Sequence, residues 1–194
     1  MTKFILVRHG KPTYEKLLLE GYRGKEFSWA PLSEEGILEI EKLAQNQIFE
    51  NSDLLVSSPY TRTMQTASII GQKYNLQINP NVLLHEWIPD NSSNYTTKEE
   101  LVKNVRHARS EFAAHSDDEN YIYDPRFESL IHVRNRALEA LEEYYEHDKV
   151  IVVAHSVLIS MLFPYPVRLK TGEYIETTSE ELDKNFKQKT LKKM

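Results

Sequence analysis

Three stretches of the chain are apolar almost without interruption: Phe4-Ile5-Leu6-Val7, Asp53-Leu54-Leu55-Val56-Ser57 and Val150-Ile151-Val152-Val153-Ala154. Runs that do not alternate with polar residues suit strands buried on both faces. Leu76-Gln77-Ile78 and Val82-Leu83-Leu84 are weaker strand candidates, separated by Pro80, and Tyr174-Ile175-Glu176 is a candidate edge strand.

Between the runs the apolar period becomes helical. Ser33 suits an N-cap, with Glu34 and Glu35 in the first turn where the dipole favours acids. Ile37, Ile40, Leu43, Ala44 and Ile48 form the stripe of that helix. Ser58 and Pro59 read as an N-cap and a first-turn proline, and Met64, Ala67, Ile70 and Tyr74 carry the next helix inward. A long helix is expected from about Arg126 to His147, and a short apolar one from His155 to Phe163, stopped by Pro164.

Strands alternating with helices predict an α/β domain with a mostly parallel sheet. A length of 194 residues fits one domain, 1–194. Residues 90–124 break the rhythm. They are polar, with an amphipathic stretch near Leu101 to Phe112, and are expected to form an insertion roofing a site.

Composition narrows the function classes. With 40% hydrophobic and 27% charged residues, the chain is of ordinary globular type. The absence of cysteine excludes disulfides, thiolate metal sites and a cysteine nucleophile. Lysine and arginine number 24 against 29 acids, a net charge of −5; the tail 184–194 holds five lysines and no acid, so the rest carries about −10. An acidic body argues against nucleic-acid binding, and the tail reads as a solvated end. No run approaches the ~20 apolar residues of a membrane span. The opening residues lack a small-residue cleavage site, so a cytoplasmic protein is expected.

Each main apolar run leads into polar residues: Arg8-His9-Gly10 after the first, Ser57-Ser58 and then Arg62 after the second, His155-Ser156 after the third. Ligands of open parallel sheets bind at the carboxyl ends of strands. If the three strands are parallel neighbours, Arg8, His9, Arg62 and His155 converge. Guanidiniums offer forked donors to phosphate oxygens, and an imidazole among cations is held neutral, able to attack phosphorus. An ester leaving group then needs a proton donor.

Val7-Arg8-His9-Gly10 resembles the signature of the histidine phosphatase superfamily, the phosphoglycerate-mutase-like proteins. Other segments resemble the family in the same order: Pro31-Leu32-Ser33-Glu34-Glu35-Gly36; Ser57-Ser58-Pro59-Tyr60-Thr61-Arg62-Thr63-Met64-Gln65-Thr66-Ala67; Leu84-His85-Glu86; Phe127-Glu128-Ser129 followed by Arg134 or Arg136; and Val152-Val153-Ala154-His155-Ser156. The resemblance implies a three-layer α/β/α sandwich and a phosphatase that needs neither metal nor cofactor. It implies His9 as the nucleophile, Arg8, Arg62 and His155 as phosphate ligands, and Glu86 as the proton donor, with Asp90 its rival. The substrate would be a small phosphorylated metabolite or a phosphoprotein.

The chain departs from the family pattern at Lys11-Pro12-Thr13, Ser28-Trp29-Ala30 and Ser156. It also has Glu15 where a phosphate-contacting asparagine is common; a carboxylate there would have to turn away from phosphate. Phosphoglycerate mutase-type transfer and a low-turnover phosphate-binding module are the alternatives. A metallohydrolase built on His9, His85 and His155 is a weaker one, because the histidines are scattered. Ser57 and Ser156 are expected to cap helices. Lys11 and Arg23 either contact substrate or are solvated. Tyr22, Phe27, Trp29 and Trp87 either line a pocket mouth or simply pack.

Overall fold

The three apolar runs are the central strands of one sheet. The computed structural model describes residues 1–22, 24–90, 97–115, 126, 128–165 and 167–184. Within these the strands are β1 (Lys3–Arg8), β2 (Leu54–Ser57), β3 (Ile78–Pro80), β4 (Lys149–Ala154) and β5 (Tyr174–Thr178). Their order is β3-β2-β4-β1-β5. β4 lies between β2 and β1 and is parallel to both, β3 is parallel to β2, and β5 closes the edge antiparallel to β1.

Alternation along the buried strands feeds two separate cores, which is why the runs are apolar throughout. Phe4, Leu6, Val56, Val150, Val152 and Ala154 face one layer. There they meet Val133, Ala137 and Leu141 of helix α5 (Leu130–Glu142) and Leu158 and Ile159 of α6 (Ser156–Met161). Ile5, Val7, Leu55, Ile151 and Val153 face the other. There they meet Ile40 of α2 (Glu34–Leu43) and Ala67 and Ile70 of α3 (Thr61–Tyr74). The result is a three-layer α/β/α arrangement. Two further helices, α1 (Glu15–Leu19) and α4 (Lys98–His115), border these layers; Leu17 of α1 is buried and Val105 of α4 packs against the first core.

Ser33 caps α2 as expected, its side chain accepting from Gly36 N. Four expectations are corrected. Val82–Leu84 is a turn of 3-10 helix, because the Asn81 side chain accepts from Leu83 N. Ser58 is not the N-cap of α3; Tyr60 holds that position without a side-chain bond. Ile37 is exposed, so the stripe of α2 is narrower than expected. The helix expected over Arg126–His147 is shorter, beginning after Ser129, whose side chain accepts from His132 N. Of the expected insertion, residues 91–96 and 116–124 lie outside the described residues, as do Arg23, Phe127 and tail residues 185–194.

Candidate active site

The parallel register brings the carboxyl ends of three strands level. Arg8 is opposite Ala154 and Ser57 opposite Val153, so His9, Ser58 and His155 leave the sheet side by side. His9 N donates to the Ala154 carbonyl at 3.2 Å, and Ser58 N to the Val153 carbonyl at 3.0 Å.

The turn after His9 is held from two sides. Gly10 N donates to Thr66 Oγ1 at 3.1 Å, and that hydroxyl donates to the Arg62 carbonyl at 2.8 Å. A Cβ on Gly10 would meet Ile40 Cγ1 at 2.7 Å and the Gly36 carbonyl oxygen at 2.8 Å. A Cβ on Gly36 would strike the Lys11 carbonyl oxygen. Both glycines are therefore required for the close approach of this turn to α2. Leu32 N donates to Gln65 Oε1 at 2.7 Å, so Gln65 and Thr66 of α3 clamp the segments on either side.

At the centre lies Arg62, only 6% exposed, between His9 (5%) and His155 (0%). Its Nε donates to His9 Nε2 at 3.2 Å, and its Nη2 lies 3.3 Å from His155 Nδ1. The guanidinium stands 5.0 Å over the Tyr60 ring, within cation–π range. A guanidinium has no acceptor, so both facing ring nitrogens are unprotonated. His9 Nδ1 then carries the proton and donates to the Gly10 carbonyl at 2.8 Å. His155 Nε2 carries the other and donates to Ser58 Oγ at 2.8 Å.

The electrostatics agree with these tautomers. Burial first, and the Arg62 charge second, push His9 down to about 3. The same two causes, in the same order, hold His155 well below its ordinary value. Both imidazoles are neutral at physiological pH. The Arg8 charge also lowers His9, more weakly. Arg8 Nη1 donates to the Leu169 carbonyl at 2.7 Å, while its Nε is buried without a partner.

Glu86 approaches from the α6 side. Its carboxylate accepts from Trp87 N at 2.9 Å, Leu158 N at 3.2 Å and Val157 N at 3.4 Å. Burial raises its pKa above the usual carboxylate value; these backbone bonds and Arg62 oppose that rise without cancelling it. Asp90 accepts from Asn104 Nδ2 of α4 at 2.7 Å.

The segment carrying Glu86 is fastened by Arg136. This buried side chain donates to the carbonyls of Leu83 at 2.5 Å, His85 at 2.7 Å and Glu86 at 3.4 Å. It also forks onto Glu128, at 2.6 Å through Nε and 3.1 Å through Nη2. Glu128 in turn accepts from Ile88 N at 3.0 Å. Of the two arginines the motif leaves open, Arg136 makes this pair. Tyr60, Ser58 and Arg136 are site residues to which the sequence reading assigns no role in the site.

A cavity of about 780 Å³ opens beside this cluster. Arg62, Glu86 and Tyr60 line it, with Val102 and Val105 of α4 on another wall. Of the mouth candidates, Phe27 and Trp87 line it, as does the substrate-contact candidate Lys11; Tyr22 and Trp29 instead pack together edge to face at 5.6 Å. Glu15, expected to turn away, is part of the lining. Ser57 does not cap a helix: its hydroxyl donates to the Ser58 carbonyl. His155 is the N-cap of α6, leaving Ser156 at its first turn. Among the described residues no group of three His, Asp or Glu is placed to hold a metal, and no helix is long and apolar enough to cross a membrane.

No curated protein matches the sequence. Among solved structures, Bacillus stearothermophilus YhfR superposes with a TM-score of 0.69 at 20% identity, covering 91% of this chain and 90% of that one. A mycobacterial glucosyl-3-phosphoglycerate phosphatase gives 0.68 at 21% identity, covering 91% and 92%. The phosphoserine phosphatase of Entamoeba histolytica gives 0.65 at 23% identity, covering 91% and 90%. These likenesses show a shared fold. The model of the histidine phosphatase superfamily (branch 1) matches residues 4–179, nearly the whole chain, and the chain belongs to that superfamily.

Proposed function

We propose that the protein is a metal-independent phosphoric monoester hydrolase working through a phosphohistidine on His9. One observation carries the reading. The His9 tautomer is set by its Nδ1–H bond to Gly10, so Nε2 holds a lone pair beside the Arg62 guanidinium.

In the first step the Nε2 lone pair attacks phosphorus as the ester P–O bond breaks. Arg62 gives up its bond to Nε2 and takes phosphate oxygens, with the unpartnered Nε of Arg8 as a second donor. Glu86, in its acid form, passes a proton to the departing oxygen. In the second step Glu86 takes a proton from water, the water oxygen attacks phosphorus, and the P–N electron pair returns to Nε2. Phosphate leaves and Glu86 is again protonated. His155 acts through Arg62: it donates to Ser58 and accepts from the guanidinium, fixing where the cation sits. Charge in the transition state is met by buried guanidinium nitrogens rather than by reorganising water.

The cavity accommodates a small phosphorylated metabolite, and the structural relatives named above for glucosyl-3-phosphoglycerate and phosphoserine support that class. The test is release of inorganic phosphate from an aryl phosphate with a chelator present. The wild type turns over and accumulates an acid-labile, base-stable phosphoryl-protein; His9→Ala does neither. Turnover that survives His9→Ala, or is abolished by the chelator, overturns the reading.

A further inference from the structure

Beyond the catalytic cluster the cavity has a character of its own. Its walls carry Tyr14 at the N-cap of α1 and Leu18 within it, Phe27, Ile88, and Val102 and Val105 of α4. Tyr14, Leu18 and Val102 are 39%, 44% and 38% exposed, although large apolar side chains gain by burial. They come from two separate elements and border one space, where a bound molecule would cover them together.

The charges of the same walls point the same way. Apart from Arg62 and Glu86, the described lining has two lysines, Lys11 and Lys25, against three carboxylates, Glu15, Glu35 and Asp90. Lys11 is already paired with Glu35. Among the described lining residues carboxylates outnumber lysines, so once Arg62 has taken the phosphoryl group these walls hold no cationic excess for a second anionic group, such as a carboxylate or another phosphate.

We infer that this site selects phosphomonoesters whose leaving group is uncharged and apolar, packed between α1 and α4. The inference rests on the phosphatase reading above and goes beyond it, because phosphate chemistry alone does not specify the alcohol. An apolar wall rewards each buried methylene and offers a carboxylate nothing in return for its lost water.

The experiment is a series of kcat/KM values for methyl, propyl, butyl and hexyl phosphate, with phosphoserine and 3-phosphoglycerate alongside. Each added methylene is expected to raise kcat/KM about threefold, so hexyl exceeds methyl about two hundredfold. The two carboxylated esters are expected near or below methyl phosphate. Leu18→Asp, at an exposed position, should lower the hexyl-to-methyl ratio about tenfold or more, and Val102→Asp on the facing element should do the same. A flat series, or phosphoserine outrunning hexyl phosphate, overturns the inference while leaving the phosphatase reading intact. If folded wild type releases phosphate from no member of the series, the reading beneath fails and the inference fails with it.

Discussion

Arg62 Nε donates to His9 Nε2 across 3.2 Å, so the residue proposed to receive the phosphoryl group occupies the nitrogen proposed to attack it. The contact does two things in the free enzyme. It keeps Nε2 unprotonated, and it covers that nitrogen with a donor that the proposed reaction must redirect to phosphate.

Removing that cation has a defined signature. In Arg62→Ala the pKa of His9 rises from about 3 but stays below an ordinary histidine, because burial is the larger cause and remains. NMR titration of the His9 ring reads this shift. kcat falls about 10²–10³-fold, the usual cost of losing one preorganised donor to transition-state charge. Arg62→Lys keeps the charge but loses the fork, and recovers only part of the rate.

Glu86 is tested by the leaving group. Glu86→Gln keeps an acceptor for Trp87 and Leu158, which share one carboxylate oxygen, loses the weaker one for Val157, and cannot give or take the proton. Alkyl phosphates, whose alkoxide needs protonation, should slow about 10²–10⁴-fold. Nitrophenyl phosphate should show a burst of nitrophenolate followed by slow turnover, since only its second step needs the carboxylate. In the wild type the alkyl phosphate rate should fall as pH rises through the elevated Glu86 pKa, where the acid form is lost. On the acid side His9 stays neutral until about 3, so its limb lies far below neutrality. A nitrophenolate burst slowed as much as the alkyl phosphate rate would remove Glu86 from the proton-donor role.

Arg136 joins stability to geometry. It and Glu128 are both buried, and Arg136 also holds three carbonyls of the segment that bears Glu86. Arg136→Ala leaves a buried carboxylate unpaired and should cost about 3–5 kcal/mol in chemical denaturation. Arg136→Lys should cost less stability, yet slow alkyl phosphates more than nitrophenyl phosphate, because Glu86 loses its fixed position. A variant whose nitrophenolate burst and alkyl phosphate rate fall equally would make the pair a purely structural one.

Much of this arrangement is legible in the amino-acid sequence. Continuous apolar runs identify β1, β2 and β4 because strands covered on both faces need no polar side. The polar residues that follow them locate His9, Arg62 and His155 once the strands are taken as parallel neighbours. Three-residue apolar runs carry less: Val82–Leu84 is helical because Asn81 caps it, a choice made by one side chain. Local pattern assigns Ser58 to a helix cap, whereas its hydroxyl is recruited by His155, 97 positions away, a contact no local pattern shows. Arg136 is within reach of sequence reasoning. Val133, Ala137 and Ala140 are its buried neighbours on the helix, and that phase places Arg136, rather than Arg134, toward the core.

The turn at Gly10 should be intolerant of small additions elsewhere. A Cβ at position 36 strikes the Lys11 backbone, which cannot swing away as a side chain can. Gly36→Ala should therefore lower both the unfolding midpoint and kcat, while Thr66→Val, which leaves Gly10 N unpaired, should cost about 1–3 kcal/mol. If Gly36→Ala has wild-type stability and rate, the close approach is not required.

Acid should unfold the protein earlier than its surface carboxylates alone would dictate. Burial leads the causes that lower His9, His85 and His155 in the fold. The unfolded chain takes up their protons at about 6.5, so the unfolded state binds more protons below that pH. Stability from this source is fully present above pH 6.5 and is lost as pH falls, by about 1 kcal/mol per pH unit for each histidine that stays neutral. For His9 the loss continues down to about 3. Glu86 works in the opposite sense, since its raised pKa lets the fold take up a proton first. It offsets part of that loss. Urea midpoints measured between pH 7.5 and 5 should fall steadily, and His9→Asn should reduce the slope. A midpoint flat across that window, with wild type and variant alike, would mean that the buried imidazoles are not held neutral as the hydrogen bonds of Arg62 require.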